Sequence, residues 1–122
     1  MDASHSQIDQ QLQQVKKAQV KVENYIEQTR RKQNEQDWLE EEAKRFEQEK
    51  LALLESLHTG WQGEEASGFH RYLEDQQYEE SQAWKKDLET KRTHLDTELQ
   101  ENKSELHKLE TKQTTLQKEW RT

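Results

Sequence analysis

Proline is absent from this 122-residue chain, and its three glycines, Gly60, Gly63 and Gly68, fall within nine consecutive positions at the midpoint. Glycine and proline are the residues that most readily break a helix, so the chain is punctuated in one place only. A sequence written this way folds back on itself once. Two long, charged, glycine-free arms flank a bend that carries Trp61-Gln62-Gly63.

Hydrophobic residues make up 28% of the chain and charged residues 37%, against about 45–50% and 25% in ordinary globular domains. Such a chain cannot fill a thick core, and its composition alone is compatible with disorder. Periodicity decides for helix. On the first arm Ile8, Leu12, Val15, Gln19, Val22, Ile26, Thr29 and Gln33 alternate by fours and threes. The phase then changes: Gln33, Gln36 and Leu39 use two threes in a row before Ala43, Phe46, Lys50, Leu53 and Leu57 resume the alternation. A discontinuity of this stammer-like kind overwinds a coiled coil locally. The stretch Arg30–Asp37 is polar on every face, and the seam there is expected to be loose or filled by another chain. The second arm is cleaner. Leu88, Arg92, Leu95, Leu99, Asn102, Leu106, Leu109, Gln113, Leu116 and Trp120 form one four-three series, long enough to specify a coiled-coil seam. Nearer the bend, Phe69, Leu73, Ala83 and Trp84 are expected to carry the apolar face, with a polar gap at Glu74–Gln77.

The fold expected is an all-α, antiparallel, coiled-coil-like two-helix hairpin forming a single domain. Helix 1 covers about 5–58, the turn 59–64 and helix 2 about 65–120. Ser4 or Ser6, with Gln7 or Asp9 three residues on, supplies a capping box for the first helix. Gly60 is expected to be the left-handed residue that closes it. Gly63-Glu64-Glu65 restarts the chain with acids where the helix dipole favours them. The Trp61 indole would cover the end of the thin seam, and Gly63 would permit the reversal of direction. Folding about residue 62 sets Ile8 near Leu116, Val15 near Leu109, Ile26 near Leu99 and Leu57 near Phe69. Gln19 and Asn102 are the polar seam positions, a residue type that fixes register at some cost in stability.

These features exclude several function classes. A net charge of −7 argues against nucleic acid and anionic membranes as ligands. The absence of cysteine removes disulfides, thiolate metal sites and a cysteine nucleophile. No apolar run approaches the roughly 18 residues of a membrane span. Met1–Gln7 has no secretory signal character, so any export is expected to bypass the general secretory route. Di-iron helical proteins use two Glu-x-x-His pairs, whereas the chain offers one, Glu55–His58, beside the four-residue spacings His70/Glu74 and His94/Glu98. In so charged a chain these arise by chance, and no catalytic residue, metal or cofactor is expected. Binding to other helices remains. Tryptophan is enriched at interface hot spots, which makes Trp38, with Leu39, and Trp84 the preferred patch. The full set of partner-binding candidates is Trp38, Leu39, Phe46, Trp84, Leu88, Leu95, Leu99, Leu106, Leu109, Leu116 and Trp120. Gly60, Trp61 and Gly63 form the turn motif. A four-three seam serves self-pairing and partner-pairing equally, so which candidates face a partner stays open.

With Trp61-Gln62-Gly63 between arms of nearly equal length, the chain resembles the WXG family of small helical hairpins associated with type VII secretion in Gram-positive bacteria. Within it the likeness is to the accessory proteins of LXG-domain toxins and covers both arms and the turn. The resemblance implies a non-enzymatic targeting partner or chaperone that binds the helical amino-terminal region of an LXG toxin. A second small WXG-like protein is an implied co-partner, and the implied location is the cytoplasm, with co-secretion open. Family members that carry an export signal place an aromatic residue four before an acid near the end of the second helix. Here Tyr72 is followed by Gln76 and Tyr78 by Gln82, while Trp38 and Glu42 keep the spacing on the other arm. The signal is therefore expected on a partner. The alternative is a stand-alone homodimeric coiled coil or a prefoldin-like holdase.

Overall fold

The structure, a computed structural model, describes residues 3–122. They form an antiparallel hairpin of two helices, α1 (Ala3–Gly60) and α2 (Glu64–Arg121). Both helices outrun the expected bounds, and the connection shrinks to 61–63. Ser4 and Ser6 already lie inside α1, so neither caps it from outside. The chain packs as two compact units: a terminal unit, Met1–Gln33 with His94–Thr122, and a turn unit, Asn34–Thr93.

In the terminal unit the four-three series is the contact face. Val15, Ile26, Thr29 and Leu116 are buried. Ile8, Leu12, Gln19, Val22 and Gln33 on α1 are half-buried, as are Leu95, Leu99, Asn102, Leu106, Leu109 and Gln113 on α2. Two of the polar members on α1 bond across the hairpin. Gln19 Nε2 donates to Gln113 Oε1 at 2.9 Å, and Gln33 Nε2 to Asp96 Oδ1 at 2.9 Å. Gln19 thus reaches Gln113 instead of the neighbourhood of Glu105 that a fold about residue 62 implies. Two amides that satisfy each other remove the desolvation penalty that either would carry alone. Trp120 stays 43% exposed, its ring 4.7 Å from that of His5.

In the turn unit the expected phase change does not occur. After Gln33 the residues that face α2 are Gln36, Glu40, Ala43, Glu47, Lys50 and Leu54, buried or half-buried at unbroken spacings of three and four. Leu39, Phe46 and Leu53 are 47, 66 and 70% exposed, and Leu57 is exposed as well. The reason is geometric. Moving the seam by one residue turns the contact face about 100° round the helix, and α1 runs through without a break that could absorb it. The stretch Arg30–Asp37 is likewise closed by cross-helix bonds rather than loose. Gln36 is 5% exposed, and its Nε2 donates to the Leu88 carbonyl at 3.0 Å.

On α2 the turn-unit face is Ala66, His70, Leu73, Gln77, Ser81, Trp84, Leu88 and Arg92, each buried or half-buried. Phe69 and Ala83, expected in it, are exposed. The steps from Ala66 to Gln77 to Leu88 are of eleven residues, a period that drifts round a helix in the opposite sense to the heptad. Of the expected polar gap Glu74–Gln77, only Gln77 joins the contact face, while Glu74, Asp75 and Gln76 are exposed.

At the connection only Gly63 takes a positive φ, +123°, whereas Gly60 ends α1 in ordinary helical geometry. The left-handed role expected of Gly60 belongs to Gly63. Its carbonyl accepts from the Ser67 amide at 2.9 Å, the first turn of α2, while the Trp61 amide closes the last turn of α1 on the Leu57 carbonyl at 3.0 Å.

Candidate functional site: two faces of the turn unit

The turn end is held by aromatic packing. The Trp61 ring lies 5.5 Å from Phe69 and 5.6 Å, edge-on, from His70. The buried His70 reaches the Trp61 carbonyl through Nε2 at 2.6 Å, and the His58 ring lies 4.6 Å from that of His70, tilted by 40°. His70, near Glu74 in sequence, is thus a clasp between the connection and α2.

Behind this clasp the seam is polar and paired. Arg92 grips two carboxylates of α1: its Nε donates to Glu40 Oε1 at 2.9 Å, and its terminal nitrogen to Asp37 and to the second Glu40 oxygen. The hydrogen bond from Arg92 holds the Glu40 carboxyl below its usual range, against a smaller opposing effect of burial and with a further contribution from Gln36. The same carboxylates hold the guanidinium charged more firmly than usual. Glu47 accepts from Ser81 Oγ at 2.5 Å and faces Lys85 Nζ at 3.6 Å, and Lys50 pairs with Glu80. These partners explain how charged residues occupy a contact face while leucines one residue away stay outside.

Heptad positions on either side of a seam form separate strips. On one side of the turn-unit seam lies a groove of about 600 Å³ walled by Leu51, Leu54, His58, Gln77 and Tyr78, among others. Gln77 Oε1, beside it, is buried without a hydrogen-bond partner among the described residues. A smaller groove of about 270 Å³ follows, where Trp84 and Leu88 meet Glu40, Lys44 and Arg92. Lys85 Nζ sits 5.6 Å from the centre of the Trp84 ring.

On the other side Leu39, Phe46 and Leu53 recur every seven residues and form an exposed strip. Trp38, 61% exposed, stands beside it. Ten of the thirteen large apolar side chains exposed in the described chain lie in the turn unit. Charge is distributed unevenly too. Asn34–Thr93 contains 16 acids and eight bases, a net −8, while the terminal unit contains ten acids and 11 bases, a net +1.

The expected partner-binding set therefore divides. Trp38, Leu39 and Phe46 are exposed, as is Trp120 at the far end of α2. Leu88, Leu95, Leu99, Leu106, Leu109 and Leu116 are drawn into the hairpin's own contact face. Trp84 is half-buried, and Trp38 and Leu39 are not among the walls of its groove. Sequence reasoning missed Leu51, Leu54 and Tyr78 altogether and placed Leu53 and Leu57 in the seam. Carrying the four-three count past Gln36 unchanged reaches Glu40, Ala43, Glu47, Lys50 and Leu54 and leaves Leu39, Phe46 and Leu53 outside the seam, although Leu51 lies off that series.

No helix among the described residues is long and apolar enough to cross a membrane. Among the same residues, no group of three or more His, Asp or Glu converges to hold a metal ion. No known family model, curated protein or solved structure matches the chain.

Proposed function

We propose that this chain is a non-enzymatic adaptor that binds helices of another protein through its turn unit. The observation that carries the reading is the strip Leu39–Phe46–Leu53. It has the spacing of a helix-packing surface, yet the hairpin does not use it. Isolated exposed apolar residues are normal on any protein, but residues that recur at one heptad position line up along a single helix face, the arrangement by which one helix packs on another. Helices recognise such strips by laying an apolar face along them.

The specific reading follows from the resemblance to WXG hairpins: the partner is the helical amino-terminal region of an LXG toxin, and the chain escorts that toxin to a type VII secretion machine. The Trp61-Gln62-Gly63 connection and the two 58-residue helices support it. Co-expression with the amino-terminal region of an LXG toxin, followed by size-exclusion chromatography, tests it. A stable complex that elutes together is the expected result. Separate elution, with this chain as a self-sufficient homodimer, would overturn the reading in favour of a structural spacer.

A further inference from the structure

We infer that the Leu39–Phe46–Leu53 strip docks an amphipathic helix flanked by lysine or arginine; this rests on the adaptor reading and specifies its partner. The apolar strip occupies one heptad position of α1. The adjacent position, four residues earlier in each heptad, is Glu35, Glu42 and Glu49. Every apolar residue of the strip thus has a carboxylate one helical turn before it. Glu42 holds Arg45 at 2.5 Å, while Glu35 and Glu49 make no ion pair among the described residues and stand exposed. Lys50, next to Glu49 in sequence, is already paired with Glu80.

The strip's spacing and charge together define the occupant. From Leu39 to Leu53 the strip runs roughly 21 Å, four turns of helix, which an incoming helix with its own apolar heptad can follow. A row of acids beside it favours a partner with bases at the flanking positions and disfavours one with acids. A second copy of this chain fails that requirement. Two copies docking these faces antiparallel about a two-fold axis would bring the two glutamate rows together, and a parallel pairing would still press together units of net charge −8. The groove walled by Leu51 and Tyr78 lies on the opposite side of the seam and lacks this repeating order.

The test uses the full chain and two fluorescent peptides three heptads long. Both have leucine at the apolar positions; one has lysine and the other glutamate at the flanking positions. Fluorescence anisotropy should show the lysine peptide bound at least about tenfold more tightly. The triple variant Leu39→Ala, Phe46→Ala, Leu53→Ala should lose that binding. Glu35→Lys, Glu42→Lys, Glu49→Lys should invert the preference, with Glu35→Gln, Glu49→Gln weakening it should the triple reversal lose helicity. Equal binding of both peptides overturns the inference, as does lysine-peptide binding that survives the alanine variant. If binding is instead abolished by Leu51→Ser with Tyr78→Ser, the groove is the site: the assignment of the face fails while the adaptor reading stands. If the toxin region also fails to bind, both fall.

Discussion

Among individual residues, the most consequential is Arg92, because it lets Glu40 occupy a seam position. A carboxylate facing another helix is costly unless its charge is met and its oxygens are bonded. Arg92 and Gln36 do both. The linkage has a definite sign. The folded-state pKa of Glu40 is depressed, so the pair's stabilising contribution is present above the ordinary carboxylate pKa of 4.5 and is lost as pH falls through the lower folded value. Urea unfolding followed between neutral pH and below pH 4.5 should show this loss in the wild-type chain, and Glu40→Gln should flatten that part of the profile. An unchanged acid limb in the variant would mean that Arg92 does not hold Glu40 in solution.

For the elements, the contrast between the two halves of α1 explains what the sequence could and could not reveal. In the terminal unit, Ile8 to Gln33 and Leu95 to Leu116 carry enough aliphatic side chains at seam positions that the contact face is legible directly. In the turn unit the seam is Gln36, Glu40, Glu47 and Lys50, while Leu39, Phe46 and Leu53 imitate a seam one residue earlier. Hydrophobicity points to the imitation. Only the residues opposite, Arg92, Ser81, Lys85 and Glu80, reveal the real one, and their register across the hairpin cannot be read from a single arm. The connection was legible in outline from the glycine cluster but not in which glycine does the work. Gly63, at φ +123°, holds a backbone conformation that side chains rarely adopt, whereas Gly68 sits in α2 with open space around it. Gly63→Ala should cost about 1–3 kcal/mol, and Gly68→Ala should stabilise by about 0.5–1 kcal/mol. Thermal melts of the two variants check this, and a loss at Gly68 equal to that at Gly63 would contradict the turn geometry.

For the whole molecule, apolar surface and negative charge concentrate in one unit, while the other is nearly neutral and uses its leucines internally. That division suits an adaptor: one unit secures the hairpin and the other presents an unpartnered strip with an acidic border. The central claim is that the strip lies outside the fold's own contacts, and the unfolding free energy of Leu39→Ala, Phe46→Ala, Leu53→Ala tests it most directly, with the seam substitution Leu116→Ala as reference. Alanine is the best helix former, so the triple variant should match the wild type within about 1 kcal/mol or exceed it, because exposed substitutions have small effects. Leu116→Ala should cost about 2 kcal/mol or more by removing a buried side chain. A loss of several kcal/mol in the triple variant would place the strip inside the hairpin's core and contradict the account.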